Sequence, residues 1–382
     1  MHRLTIICGF MLFGMFFGAG NLIFSLKIGQ ATEGNWIYGF FGLILSDVVL
    51  SFLGLFFVLK RHNGDSVSFF GEIGTLARTA LPFLALSLLG PFGVAPRCIT
   101  VAYGGINRLI PELPLWIFSA MFCVASLFIG LNGRRVLNVI GKWMTPVLLI
   151  SLIVLSVLGA MNHSAELKET TCSLDSFREG FVTGYQTMDL LLAFFAATLI
   201  FSQIRDALPP STSDEDAVKI AIKSSVFASV LLALVYFCMV FLGSHFVWLL
   251  RETNPSSILV VITNHVAGEY AALFVAIIMT FACFTSVAPL NAMYATYLSS
   301  NFEVCKDKFN LLLCGTTVIS FLISLFDFGG IIKFLSPTLE ALYPSIVALT
   351  AISVFLKKQY FLKKILFYGV LTAVLLQKAG AF

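Results

Sequence analysis

Charge is what this chain has least of. Only 12% of its 382 residues are Asp, Glu, Lys or Arg, against roughly 25% in an ordinary soluble protein. A water-facing surface cannot be built at that density, so a soluble multi-domain protein is excluded. The net charge of +4 comes from lysines and arginines scattered through short loops. No basic face of the kind nucleic acid requires is present, and no nucleic-acid partner is expected. Catalytic motifs are missing too. The five histidines (His2, His62, His163, His245 and His265) lie near loops and form no H-x-x-x-H pair. No Walker-type phosphate loop occurs. These gaps argue against a membrane enzyme, against a cofactor, and against direct drive by ATP. Polar residues at helical spacing are too few to line a channel. Nor do the eight cysteines suggest disulfides. Cys8, Cys98, Cys123, Cys238, Cys283 and Cys314 fall in apolar runs, Cys305 in a short charged loop, and Cys172 in the longest polar loop. Buried cysteine behaves as a small hydrophobe.

What the chain does have is apolar length. Hydrophobic residues make up 58%, phenylalanine occurs 39 times, and the mean hydropathy is +0.94. This composition describes an all-α polytopic membrane protein whose main surroundings are the lipid bilayer. Eleven apolar runs long enough to cross a bilayer are read at about 4–25, 36–59, 80–107, 114–131, 139–161, 179–204, 219–248, 269–299, 309–326, 331–356 and 361–379. The opening M-H-R and the run behind it are not a signal peptide, because the run is too long and no A-x-A-like site follows directly. With the N-terminus inside, 16 basic residues fall on the inner side: Arg3, Lys60, Arg61, Arg78, Arg134, Arg135, Lys142, Arg205, Lys219, Lys223, Lys306, Lys308, Lys357, Lys358, Lys363 and Lys364. The outer side holds 7: Lys27, Arg108, Lys168, Arg178, Arg251, Lys333 and Lys378. The positive-inside rule therefore predicts a cytoplasmic N-terminus.

The first run carries its own interruption. Between Leu4 and Phe24 it contains Gly14, Gly18 and Gly20, with Asn21 directly after. Each glycine costs a helix about 1 kcal/mol relative to alanine. In hydrocarbon, broken backbone is tolerated only where it lines a cavity or binds something. A break near Gly18–Asn21 thus points to a transporter with a ligand site at mid-membrane depth. Gly14-x-x-x-Gly18 is also a helix-packing motif of small residues, and both readings stand at this stage.

Two short matches suggest an internal repeat. V-A-P occurs at Val94–Pro96 and again at Val287–Pro289, 193 residues later. Lys142-x-x-Thr145-Pro146 recurs as Lys333-x-x-Ser336-Pro337 at an offset of 191. Each pair lies five spans apart. Five is odd, so the second copy would enter the membrane from the opposite side, as in an inverted-topology repeat. The single transmembrane domain, 1–382, would then comprise a first five-helix repeat at 4–161, a second at 179–356, and an additional helix at 361–379. The sixth span should mirror the broken first. It does hold Gly180 and Gly184 before the polar run Gln186, Thr187 and Asp189.

Several segments together resemble one family, the branched-chain amino acid:cation symporters of the BrnQ (LIVCS) type. They are Gly9–Phe24, Gly90–Arg97, Gly141–Pro146, Gly184–Asp189, Ala282–Ser286 and Leu342–Pro344, in family order across spans 1 to 10. The resemblance implies a LeuT-like fold: about eleven helices in a 5+5 inverted repeat with helices 1 and 6 broken. It further implies a bacterial cytoplasmic-membrane protein that imports leucine, isoleucine and valine with Na⁺ or H⁺. Methionine is a plausible competing substrate. The chain departs from the family pattern in having Ser25 and Leu26 in place of a proline pair, Gly104 within Y-G-G-I-N-R, and Glu340 in an apolar position. These departures bear on substrate selectivity. It also ends after an eleventh span where the family usually has twelve, an expected effect on assembly or stability more than on the transport core.

The expected site has two parts. For the substrate, the half-helix N-terminus at Gly18, Ala19 and Gly20 offers N–H groups to a carboxylate at its positive end. Thr187, Met188 and Asp189 face it from the sixth-span break. Asn21 either contributes its side-chain oxygen or caps the half-helix. Asp189 has a role near substrate or in coupling, whereas Asp47 is read as structural. Arg97 and Glu340 await a carboxylate or cation partner. Met188, Phe92 and Phe284 are candidates for an apolar side-chain pocket. For the ion, the LeuT-like pattern implies a Na⁺ site from the hydroxyls of Thr285 and Ser286 with the carbonyls of Gly14 and Phe17. The oligomeric state is not legible.

Overall fold

A computed structural model of the chain describes residues 2–131, 145–162, 172–251, 253–355 and 359–378. Lys142 and the two residues after it lie outside the described residues, as do Arg134, Arg135, His163, Lys168, Lys357 and Lys358. Within the described residues the fold is all-α, and each expected span is occupied by helix.

The first span is two helices, α1 (His2–Phe16) and α2 (Ala19–Thr32). The second is one rod: α3 (Trp36–Leu43), a π-helical turn at Ile44–Val49, then α4 (Leu50–His62). A short α5 (Ser66–Gly71), capped by the Asp65 carboxylate, precedes α6 (Thr75–Leu89) and α7 (Val94–Asn107). Next come α8 (Leu115–Leu131) and α9 (Thr145–Met161). The sixth span is again divided, into α10 (Ser173–Gly184) and α11 (Asp189–Ala207). It is followed by α12 (Asp214–His245), the short α13 (Val247–Leu250) and α14 (Ile258–Ala267), α15 (Glu269–Asn301), α16 (Phe309–Ser324), α17 (Asp327–Phe355) and α18 (Tyr360–Lys378).

Three details differ from the sequence reading. The first-span break lies at Phe17–Gly18, and Gly20 and Asn21 already belong to the first turn of α2. The third span is interrupted by a turn at Gly90–Gly93, where Gly93 has a non-helical backbone and the N–H of Phe92 turns back to the Ser87 carbonyl. The apolar run continues through the turn, so hydropathy alone cannot see it. The stretch between the expected seventh and eighth spans holds α14, whose ten residues are too few to span a bilayer.

The packing places the two breaks side by side. α2 packs against α12, and α10 packs against α3; the two lower halves behave likewise, α1 against α12 and α11 against α4. Exchanging the halves of the chain exchanges these pairs, as an inverted repeat requires. Close backbone approach makes both contacts possible. A Cβ on Gly243 would collide with the Leu26 carbonyl, and one on Gly180 would collide with the Gly39 carbonyl. Helix association in membranes relies on such small residues. The third and eighth spans also meet: Gly90, just before the first V-A-P, faces the Leu290 carbonyl, just after the second.

Candidate functional site

The break in the first span exposes backbone at both ends. The Gly18 N–H bonds the Phe16 carbonyl at 2.8 Å, which takes it away from Gly14, its partner in a continuous helix. The Gly14 carbonyl instead accepts from Thr285 Oγ1 at 3.4 Å. Thr285 Oγ1 also donates to the Ala282 carbonyl at 2.6 Å, and Ser286 Oγ reaches the same carbonyl at 3.5 Å. Ser286 Oγ would stand 3.3 Å from a Cβ on Gly18. Pro289, inside α15, has no N–H to offer the Thr285 carbonyl four residues back. The result is a buried group of oxygens joining α1 to α15, the kind of donor set a hard monovalent cation takes. Of the expected ion ligands, Gly14, Thr285 and Ser286 come together here. The Phe17 ring, as distinct from the carbonyl expected as a ligand, stacks on Phe13 at 5.3 Å and tilts over Tyr236 at 6.4 Å.

At its other end the break leaves the N-terminus of α2 open. Gly18 is the N-cap, no side chain caps it, and no acidic residue lies in the first turn. Leu22 N–H bonds the Gly18 carbonyl at 3.4 Å. Asn21 therefore is not the cap. Its Nδ2 donates to Asp189 Oδ2 at 2.6 Å and to the Tyr236 hydroxyl at 2.5 Å.

The sixth-span break is filled differently. Met188 adopts a left-handed backbone (φ 67°) that turns the chain from the 3₁₀ segment Tyr185–Thr187 into α11. Thr187 Oγ1 donates to Asp47 Oδ1 at 2.5 Å and accepts the Asp189 N–H at 3.4 Å. The Tyr343 hydroxyl accepts the Leu190 N–H at 3.2 Å. Tyr236 also reaches Asp189 Oδ2, at 3.5 Å. Asn21, Asp47, Thr187, Asp189, Tyr236 and Tyr343, from five different spans, thus form one buried polar cluster. All are less than 5% exposed. A lone charge at the bilayer centre costs about 2.5–3.5 kcal/mol on insertion scales, and these bonds offset part of that for Asp189.

Asp47 is the main correction to the sequence reading. It is not a bystander: the π turn at Ile44–Val49 places it on Thr187, and its carboxyl lies in electrostatic and hydrogen-bonding range of Asp189. Single π turns recur at functional sites. Arg97 is buried in the same region; its Nη1 donates to the Gln186 carbonyl at 2.5 Å and its guanidinium lies 5.6 Å from the Phe24 ring centre. Other expectations move outward. Glu340 is exposed and pairs with Lys378 at 2.8 Å. Ser25 bonds back to the Asn21 carbonyl within α2. Gly104 lies against Ser256. Phe284 stacks on Phe122 of α8 with centroids 3.8 Å apart, so it serves helix packing. Met188 is fully buried between the breaks. Tyr236 and Tyr343 went unread: in an apolar run a tyrosine looks like any other aromatic, although Tyr343 lay within the L-Y-P match.

Two cavities open at opposite ends of the spans, and the residues that line them are not those of the cluster. One, of about 370 Å³ and mostly apolar, opens on the face bearing the N-terminus and is lined by Asp65, Phe195, Ala288 and Asn301. The other, of about 710 Å³, opens on the far face and is lined by Thr100, Asn107, Asn254 and Phe328.

Broken helices, oxygens at one break and carboxylates at the other are the layout of a transporter, and comparison with known proteins agrees. The profile of the family described as "Branched-chain amino acid transport protein" matches residues 1–379. The chain belongs to this family. The branched-chain amino acid permease BrnQ of Escherichia coli is 28% identical over 92% of this chain and 80% of that protein. The permease BraB of Bacillus subtilis is 26% identical over 91% and 79%. Among solved structures, MhsT in complex with L-phenylalanine gives a TM-score of 0.67 at 16% identity, covering all of this chain and 98% of that one. Mhp1, a nucleobase-cation-symport-1 family transporter, gives 0.67 at 16% identity over 92% and 78%. At such identity these two establish the fold alone, which is LeuT-like. This family member is an integral membrane transport protein and not an enzyme.

Proposed function

We propose that the chain is a secondary active symporter that imports leucine, isoleucine and valine with Na⁺ by alternating access. The observation that carries this is the buried group formed by the Gly14 and Ala282 carbonyls with Thr285 and Ser286, beside the open N-terminus of α2. The substrate's carboxylate goes to the amides of α2, at the positive end of the half-helix. Its ammonium goes toward the carboxylates of the sixth-span break. Na⁺ takes the oxygens that tie α1 to α15, so ion binding favours one arrangement of the broken helix against the eighth span. The relatives' names support the substrate class.

A second coupling ion is favoured by one specific observation. Asp47 and Asp189 are two buried carboxyls in electrostatic reach of each other, with Arg97 the one buried cation nearby among the described residues. A proton on that pair would neutralise the excess negative charge as a sodium ion would. Uptake of labelled leucine, valine and methionine into proteoliposomes under separate Na⁺ and H⁺ gradients separates the readings. Concentrative leucine uptake that needs Na⁺ is expected. Uptake that follows only the pH gradient moves the coupling to the Asp47–Asp189 pair. Methionine preferred over leucine reassigns the substrate, and gradient-independent conductance means a channel.

The bias of basic residues supports an N-terminus on the inner side, and the bacterial relatives support a bacterial cytoplasmic membrane. Cys172 is then outside and Cys305 inside. A membrane-impermeant thiol reagent on intact cells is expected to label Cys172 in preference; the reverse pattern inverts the orientation.

A further inference from the structure

Among the described residues, Arg97 is the one with two buried side-chain atoms that lack a hydrogen-bond partner. It is the fourth residue of α7, is 1% exposed, and follows directly on the Gly90–Gly93 turn that interrupts the third span. That turn starts a new helix at mid-membrane and so sets the side chain between the two broken spans. A guanidinium has five N–H donors in a rigid planar fork. Here Nη1 spends itself on the Gln186 carbonyl, while Nε and Nη2 are buried with no acceptor. The nearby Asp189 carboxylate is not within hydrogen-bonding distance of either nitrogen; its Oδ2 receives Asn21 and Tyr236. Nη2 points at the open helix end: it lies 3.8 Å from where a Cβ would stand on Gly20. The Phe24 ring, one turn further along α2, covers the guanidinium and itself packs on Phe328 at 6.1 Å. Phe328 and Thr100, one turn beyond Arg97 on α7, belong to the lining of the far-face cavity. Arg97 thus sits just beneath the floor of that cavity.

We propose that Arg97 is the substrate-carboxylate receptor, its Nε and Nη2 donating to the carboxylate oxygens while the α2 amides at Gly20 complete the site. An uncapped helix N-terminus on one side and two unmet donors of a guanidinium on the other both call for an acceptor, and an anion suits both. The planar fork matches a carboxylate in a way that a lysine's single ammonium does not. Arg97 therefore selects α-amino acids over amines of the same side chain. Phe24 excludes water from the pair and lies between it and the far-face cavity. This inference rests on the amino-acid reading above.

The test is equilibrium binding to purified full-length protein in detergent, using labelled leucine and competition by leucinamide and 3-methylbutylamine, which lack the carboxylate. Wild type is expected to bind leucine at least about 100-fold more tightly than either analogue, because a site built to pair a polar group rejects ligands lacking it. Arg97→Gln is expected to lose leucine affinity by about 100-fold or more and to bring leucine and leucinamide within a few-fold of each other. Arg97→Lys keeps the charge without the fork and is expected to weaken leucine by about 10-fold. If Arg97→Gln does not assemble, Gly20→Ala carries the test with Arg97→Lys. Its methyl group meets only ordinary contacts, yet it narrows the space before Nη2, and leucine should weaken while the amines do not. Arg97→Gln, or both substitute variants, with wild-type leucine affinity and an unchanged leucine-to-leucinamide ratio overturns the role of Arg97 and leaves the transport reading standing. Wild-type protein that binds none of leucine, isoleucine or valine overturns the branched-chain reading and this inference with it.

Discussion

The two broken spans begin alike and end as opposites. Both α2 and α11 start at mid-membrane after a non-helical turn, with positive dipole ends facing each other. α11 closes its own N-terminus: Asp189 sits in its first turn, Thr187 takes the Asp189 amide, and the Tyr343 hydroxyl takes the Leu190 amide. α2 has no acid in its first turn and no side-chain cap. One break has brought its anion with it, and the other still lacks one. The same contrast separates two buried cations. Lys363, 0% exposed, is matched by Glu72 at the end of the α5 segment. Arg97, 1% exposed, has one acceptor and two idle nitrogens. Partnered charge ties elements of the scaffold together. Unpartnered charge beside an open helix end marks where a ligand belongs.

The largest effect is expected at the open break. Gly20→Leu should cost uptake about 100-fold or more, since displacing a bound substrate by even an ångström is that costly, while the protein still reaches the membrane. A Cβ there meets only Phe24 and Arg97 at 3.5–3.8 Å, but the rest of a leucine side chain occupies the ligand's place. Wild-type uptake by a well-expressed Gly20→Leu protein would break the contrast outright.

Asp189→Asn addresses the closed break. It leaves the Asn21 and Tyr236 bonds one ionic acceptor short, and leucine KM is expected to rise about 30-fold. The carboxylate requirement should persist, with leucinamide still rejected. Loss of that rejection would mean that the two breaks do not divide the zwitterion between them. Complete loss of uptake under a pH gradient, with no sodium dependence in wild type, would assign the coupling proton to Asp47 and Asp189.

Thr285→Val keeps the side chain's shape and removes one oxygen from the group at Gly14. A hydrogen bond between membrane helices averages about 0.6 kcal/mol, so the fold should survive. The half-saturating Na⁺ concentration is expected to rise about 10-fold, equivalent to about 1.4 kcal/mol, and saturating Na⁺ should restore most uptake. Identical sodium curves for variant and wild type would remove Thr285 from the ion site.

The smallest effect on transport is expected at the matched cation. Burial raises the Glu72 carboxyl, but the hydrogen bonds from His62 and Lys363 outweigh it and hold the carboxyl below the ordinary glutamate range. A depressed folded-state value means that this contribution to stability is fully present above the unfolded glutamate's pKa. It is lost as pH falls through the lower folded value. Thermal midpoints in detergent should therefore be flat near neutrality and drop below about pH 4. In Lys363→Gln the drop should begin at higher pH, with leucine KM unchanged at pH 7. A change in KM there would mean that α18 reaches into the transport core.

Much of this architecture is legible in the residues alone, for a physical reason. In hydrocarbon every backbone polar group must be satisfied internally, so apolar length reports a span, and glycine with a polar residue inside one reports a break. That rule read the membrane class and the broken first and sixth spans, with Asp189 in the second break; the Thr285–Ser286 pair was implied by the family resemblance. It could not see the turn at Gly90–Gly93 or the helix at Ile258–Ala267, because hydropathy does not register a turn within apolar sequence or a helix too short to span. Nor could it assemble the polar cluster. Asn21 meets Tyr236 across 215 residues and Asp189 across 168, and Asp47 meets Thr187 across 140. Composition and spacing carry no record of which spans touch. Only the packing of the two half-repeats, set by glycines where backbones meet, decided that Asp47 joins the site, that Glu340 leaves it, and that Arg97 faces an open helix end with two donors unspent.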